Sequence, residues 1–294
     1  MSRRLFINDV LEQHYQDKGY AVIDFIDETQ VAKLKALYLQ HYVVSPTGFF
    51  ASQYDPNDLA KQEIYQTILE ICSDNLTSHF YEAEPFIASF LVKKANSNSE
   101  VSPHLDWTFV DEKKYSSVTV WCPLVDCDEQ NGTLEVVEGS HRLMDTLRGS
   151  PQLPFPYSGY DLYSYTKQIP IKAGQAVVYN HSAIHASKNN NSNADRIATG
   201  IGLKPKEADL FHVHLSPDGK LKKYRASADF FHQFSYGSAP DEQYFQNVIN
   251  FEFKTMSESE LRQKLGWPEK MPIAQPIVAE HISFFTSLWQ KLFG

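Results

Sequence analysis

Between about residues 86 and 215 the chain breaks into short, β-rich runs at close spacing, and no other feature of the sequence restricts its fold as much. Residues 86–92, 117–124, 133–137, 176–179, 196–203 and 211–215 are rich in the β-branched, aromatic and aliphatic residues of strands. Turn formers divide them: the Asn- and Ser-rich stretch 95–100, the Asn131-Gly132 pair, Gly174, and Ser216-Pro217-Asp218-Gly219. Many short strands separated in this way predict a β-sandwich or barrel.

Helical spacing brackets the β-rich region. Val10, Leu11 and Tyr15 recur at helical intervals over 8–18, and Gly19 stands where a helix would stop. Residues 20–25 read as a strand. Asp27 is placed to cap a second helix with Val31, Leu34, Leu37 and Tyr38 on one face. Residues 41–56 are aromatic and irregular and read as a loop; a helix over about 58–73 follows, with Ile64, Ile68, Leu69 and Ile71. Pro151, Pro154, Pro156 and Gly159 make 143–168 a long loop of the kind that often serves as a functional lid. From about 240 to 294 helical patterns return, including Ile282, Phe285, Leu288 and Leu292.

Charge and cysteine usage remove several classes of function. The chain has 27 Lys and Arg against 36 Asp and Glu, a formal charge of −9, which disfavours an electrostatic grip on nucleic acid or an anionic membrane. A small-molecule partner is the default. No run approaches the roughly 18 apolar residues of a membrane span. Arg3-Arg4 resembles the start of an export signal, but polar residues follow where an apolar stretch would be needed. The three cysteines, Cys72, Cys122 and Cys127, are odd in number and form no CxxC pair, which predicts buried thiols and a reducing, cytoplasmic setting.

Chemistry concentrates at Pro103-His104-Leu105-Asp106-Trp107. On a strand, residues i and i+2 face the same way, so His104 and Asp106 can present an imidazole and a carboxylate to one point. A His-x-Asp alone is common by chance. Here His185 follows 81 residues later, completing the two-histidine, one-carboxylate set that holds non-haem Fe(II) with coordination positions open. Ser187 shares strand parity with His185, and Arg196 lies 11 residues beyond it. A guanidinium and a hydroxyl there suit the far carboxylate of 2-oxoglutarate.

The chain has eleven histidines, and several compete for these roles. His181 is the rival third ligand, four residues from His185: about 13 Å away on a strand but near it on a helix. His141, in a Gly-Ser-His-Arg turn, reads as a hydrogen-bonded structural residue, and His212 and His214 as a strand edge before the 217–219 turn. Trp107 is a candidate substrate contact, balanced against ordinary aromatic packing. Lys93 and Lys94 read as solvated charges at the rim of a sheet.

Taken together, His104-Leu105-Asp106, the segment from Asn131-Gly132-Thr133 to Gly139-Ser140-His141-Arg142, and His185-x-Ser187 with Arg196 resemble the phytanoyl-CoA dioxygenase family of Fe(II)/2-oxoglutarate-dependent oxygenases. The opening at Gly19-Tyr20-Ala21-Val22-Ile23-Asp24 is similar as well. The resemblance implies a mainly β fold with flanking helices around a double-stranded β-helix (jelly-roll) core. It implies one oxygenase domain over 1–294, with a helical part over about 1–80, the core over about 81–235 and a helical extension over about 240–294. It further implies iron held by His104, Asp106 and His185, and 2-oxoglutarate held by Arg196 and Ser187 with Trp121 lining its pocket. O2 would serve as co-reactant, and Asp106, the ligand that related halogenases lack, points to hydroxylation, desaturation or ring formation. Two other readings stay open: a zinc hydrolase on the same three ligands, and a non-catalytic binding module on the same fold.

Overall fold

Local chemistry sets the first elements of the computed structural model, which describes residues 3–234 and 238–267. The Asn8 side chain accepts from the Val10 and Leu11 N–H groups and caps α1 (Asp9–Lys18). Gly19, left-handed at φ 82°, ends that helix, and a Cβ there would lie 2.5 Å from the His141 ring. The chain continues into β1 (Tyr20–Asp24). A capping box between Asp27 and Gln30 starts α2 (Glu28–His41). The segment read as a loop over 41–56 contains a short edge strand, β2 (Phe49–Ala51). Asn57 then caps α3 (Asp58–His79), six residues longer than the apolar pattern predicts.

The β-rich region supplies β3 (Ala83–Lys93), β4 (Val101–His104), β5 (Val118–Pro123), β6 (Glu135–Val136), β7 (Lys167–Gln168), β8 (Gln175–Asn180), β9 (His185–Ser187), β10 (Arg196–Pro205), β11 (Phe211–Leu215) and β12 (Leu221–Arg225). α4 (Ala228–Gln233), β13 (Phe245–Ile249) and α5 (Glu258–Leu265) follow. The major sheet runs β1-β8-β5-β10-β3-β2, the minor sheet β4-β9-β6-β7, and a third β11-β12-β13. Their ladders are antiparallel throughout. The major and minor sheets form the jelly-roll core that the resemblance implies.

Strand alternation assigns the two faces of the major sheet. Ala176 and Val178 of β8, Val118, Val120 and Cys122 of β5, and Ala88, Phe90 and Val92 of β3 point towards the helices. There they meet Leu34, Ile64 and Ile68, which are fully buried and each contribute about 1.5–3 kcal/mol relative to exposure. The alternate residues Trp121, Val177, Tyr179 and Ala198 face inward and pack with Leu134 and Val136 of the minor-sheet side. Both faces are covered, so these strands read as continuous apolar runs.

The C-terminal expectation is corrected over the stretch that is described. Residues 245–249 form β13, paired with β12, where a helical pattern is expected; the backbone partners offered by β12 override a weak local preference. α5 is helical, with Leu261 buried beside Leu143 and Tyr165. The pattern at Ile282, Phe285, Leu288 and Leu292 lies outside the described residues. Cys72, Cys122 and Cys127 are free and buried. Among the described residues no helix is long and apolar enough to cross a membrane.

Candidate functional site

β4 and β9 pair so that His104 and His185 are direct cross-strand partners. Their rings stand 4.2 Å apart, centre to centre. Asp106, two residues past His104, brings Oδ1 to 3.8 Å from His104 Nε2 and 3.7 Å from His185 Nε2. The three donor atoms lie within 4.8 Å of one another. Ligands ~2.1 Å from one ion at roughly right to tetrahedral angles stand ~3.0–3.4 Å apart, so a small contraction closes the cluster on a metal.

The second nitrogen of each histidine fixes its tautomer. His104 Nδ1 lies 2.8 Å from the Ser102 carbonyl and His185 Nδ1 3.0 Å from the Ala183 carbonyl. A carbonyl only accepts, so each Nδ1 carries a proton, and Nε2 is the nitrogen left to face the cluster. Burial, with His104 alongside, pushes the His185 imidazole down to about 4, which keeps it neutral. Burial pushes the Asp106 carboxyl up, but the combined pull of His185, His181, His104 and Arg148 outweighs it and leaves the group below the usual carboxylate range.

His181, the rival ligand, has a different task. Its Nδ1 lies 2.7 Å from Ser117 Oγ and its Nε2 2.9 Å from Thr119 Oγ1, so both nitrogens are engaged. It sits behind Asp106, whose N–H donates to the His181 carbonyl at 3.1 Å. The geometry favours His185.

Arg196 is 2% exposed, on the inward face of β10. Its guanidinium lies over the Trp121 ring at 5.2 Å. One long bond runs from Nη1 to the Gly132 carbonyl at 3.4 Å; Nε, buried, has no partner among the described residues. A buried guanidinium with no carboxylate beside it is expensive. Burial pushes it down to about 10. Such a group fits an anionic ligand that completes its bonding. Ser187 lies two residues along β9 from His185 and is buried.

Other sequence expectations resolve as follows. Trp107 directly follows Asp106 and belongs to an aromatic cluster, 4.8 Å from the His212 ring and 5.9 Å from Phe234. His212 and His214 do lie on an edge strand, but both are buried, turned to Ser150. His141 Nε2 meets the Gln16 carbonyl at 3.1 Å, a structural contact that ties its turn to α1. Lys94 is half-buried and pairs with Asp195 at 3.3 Å. Lys93 is not a rim charge: it is fully buried, because its parity with Ser89 and Leu91 turns it into the sandwich.

Sequence reasoning also misses Arg148. Lying in the 143–168 loop, it donates through Nε to the Asp106 carbonyl at 2.7 Å and forms a two-pronged ion pair with Glu112. Together with Ser150, whose N–H donates to the Val213 carbonyl, it pins the loop that the sequence marks as a lid. A lone arginine in a Pro-rich loop gives no signal of this in the sequence.

Residues 15–198 match the family model described as phytanoyl-CoA dioxygenase (PhyH). Phytanoyl-CoA dioxygenase domain-containing protein 1 of Danio rerio is 32% identical over 117 residues, covering 36% of this chain and 40% of that protein. Phytanoyl-CoA dioxygenase 1 of Oryza sativa subsp. japonica is 30% identical over 117 residues, covering 38% and 41%. The chain thus spans about two fifths of the length of the curated relatives it matches. Among solved structures, the epimerase SnoN in complex with Fe3+, alpha ketoglutarate and nogalamycin RO superposes with a TM-score of 0.51 at 19% identity, over 69% of this chain and 85% of that one. HygX from Streptomyces hygroscopicus, with nickel and 2-oxoglutarate bound, gives 0.50 at 14% identity, over 68% and 88%. At these identities the likeness is one of fold.

Proposed function

The chain belongs to the phytanoyl-CoA dioxygenase family, and from that premise we propose that it is an Fe(II)- and 2-oxoglutarate-dependent dioxygenase that hydroxylates an unactivated C–H bond of a small organic molecule. One pairing supports this reading above all: a two-histidine, one-carboxylate cluster and, on the same sandwich interior, a buried Arg196 that lacks an anionic partner among the described residues. A zinc hydrolase would need the first and leave the second without purpose.

When bound, Fe(II), 2-oxoglutarate and O2 supply an oxidation that releases succinate and CO2. The chain's residues have narrower tasks. His104, Asp106 and His185 would hold the iron, and a three-residue set of this kind leaves coordination positions for other ligands. Ser102 and Ala183 carbonyls keep both imidazoles aimed through Nε2. Arg196 and Ser187 take the far carboxylate, and the Trp121 ring under the guanidinium limits its swing. Trp107, next to Asp106, is the candidate contact with the small-molecule substrate. Three unpaired, buried thiols suit a reducing cytoplasm.

Anaerobic mixing of the protein with Fe(II) and 2-oxoglutarate is expected to give the weak visible charge-transfer band of a chelated ketoacid. Absence of that band while iron is bound would overturn the reading. Succinate release with a hydroxylated product, lost in Asp106→Ala, separates the oxygenase from a hydrolase.

A further inference from the structure

Lys93 is the least expected group in the interior. It lies on β3 as the direct cross-strand partner of Arg196 on β10. Its Nζ is surrounded by three backbone carbonyls: Ser99, Ser187 at 2.9 Å and Lys188 at 2.6 Å. Burial, with Arg196 beside it, pulls the group below the usual lysine value, while Glu100 and Glu135 pull the other way. The carbonyls decide the state. Three acceptors match the three N–H donors of an ammonium and exceed the two of a neutral amine, so Lys93 is charged.

The contacts of that ammonium run in a closed circuit. Lys93 fixes the carbonyls of Ser187 and Lys188 where β9 ends. The Lys188 carbonyl lies against Gly132, at φ 73°, where a Cβ would come within 2.3 Å of the oxygen. The Gly132 carbonyl in turn accepts from Arg196 Nη1, and Arg196 returns to Lys93 through strand pairing. Two side contacts brace the loop. The Asn189 side chain accepts from the Ser99 N–H at 2.8 Å, and Asn190 donates to the Lys93 carbonyl at 3.0 Å.

We propose that Lys93 is a positioning residue of the 2-oxoglutarate site: by pinning the Ser187 and Lys188 carbonyls it sets the spacing of the Ser187 hydroxyl and the Arg196 guanidinium, and so the selectivity for a ketoacid with a second carboxylate. This rests on the proposed function. Nζ is fully used by protein carbonyls, so Lys93 does not touch the ligand; it acts through Ser187 and Arg196. The metal cluster stands on other contacts, at Ser102 and Ala183, and does not depend on it.

The test is calorimetric titration of Mn(II)-loaded protein, in which no turnover occurs, with 2-oxoglutarate and with 2-oxobutyrate, which lacks the far carboxylate. For Lys93→Met the dissociation constant of 2-oxoglutarate is expected to rise by about tenfold or more, since a buried charged donor is lost. Those of 2-oxobutyrate and of Mn(II) alone are expected to stay within about twofold, because their contacts are intact. Lys93→Gln, which keeps two N–H donors, is expected to fall between and serves where the Met variant does not fold. An unchanged 2-oxoglutarate constant in either variant overturns the proposal, as does an equal loss of all three ligands, which would mark Lys93 as structural only. Wild-type protein that binds Mn(II) but neither ketoacid would refute the site reading itself, a result separate from any seen in the variants.

Discussion

Arg196 and Arg148 are both buried cations, and their difference lies in their partners. Arg148 is satisfied by Glu112 and by the Asp106 and Thr146 carbonyls, whereas Arg196 has, among the described residues, one long bond and an unpartnered Nε. Arg196→Ala is therefore expected to weaken 2-oxoglutarate binding by about 2–3 kcal/mol, measured by titration of Mn(II)-loaded protein. Arg196→Lys is expected to restore only part of it, because an ammonium lacks the planar fork. An unchanged constant in Arg196→Ala would remove that residue from the site. Arg148→Met is expected to lower metal affinity by ~10–100-fold through the lost support behind Asp106, with Mn(II) titration as the check. The three residues of the candidate metal site were legible because chemistry constrains their type and spacing: His104 and Asp106 at i and i+2, then a second histidine, His185. Lys93 was not. A lysine at a strand end is solvated by default, and the carbonyls that bury this one lie 6, 94 and 95 residues away in sequence.

At the scale of elements, Glu138 ties three of them together. Its carboxylate accepts from Lys18 at the end of α1, from Tyr20 on β1 and from Lys167 on β7, at 2.9, 3.0 and 2.8 Å. Burial alone would push it up, but those donors prevail and hold it down, from 4.5 to about 2. A depressed carboxylate stabilises the fold fully above its unfolded value and loses that contribution as pH falls through the folded one. Glu138→Gln is therefore expected to cost about 1 kcal/mol at pH 7, allowing for solvent screening. In urea unfolding the gap from wild type should close as pH drops from 4.5 towards 2; a pH-independent gap would assign the loss to packing. The strands that line the core were legible from β-branched runs and turn residues. β2 and β13 were not, since each is short and exists through its partner, β3 or β12, not through its own composition. The six extra residues of α3 carry no new apolar face to announce them.

Across the whole molecule, the two histidines 81 residues apart meet because β4 and β9 close the minor sheet over the major one. A metal held there links distant parts of the chain and binds the folded state alone. Mn(II) at about 100 times its dissociation constant is expected to add about 2.7 kcal/mol to unfolding. A chelator should reverse the gain, and Asp106→Ala should show none; equal gains in both proteins would place the ion elsewhere. Closure was legible in outline, since ligands so far apart in sequence had to come together in one core. The third sheet was not, because nothing in β11 or β12 states that they pair apart from the other ten strands. β9 adds a consequence of its own. On the proposed assignment its three residues carry a metal ligand at one end and a carboxylate-binding hydroxyl at the other, ~6.6 Å apart by strand rise. On that assignment the backbone would work as a ruler, setting the separation between iron and far carboxylate that a diacid has to match. Adding or removing a residue between His185 and Ser187 would shift that spacing by about 3.3 Å.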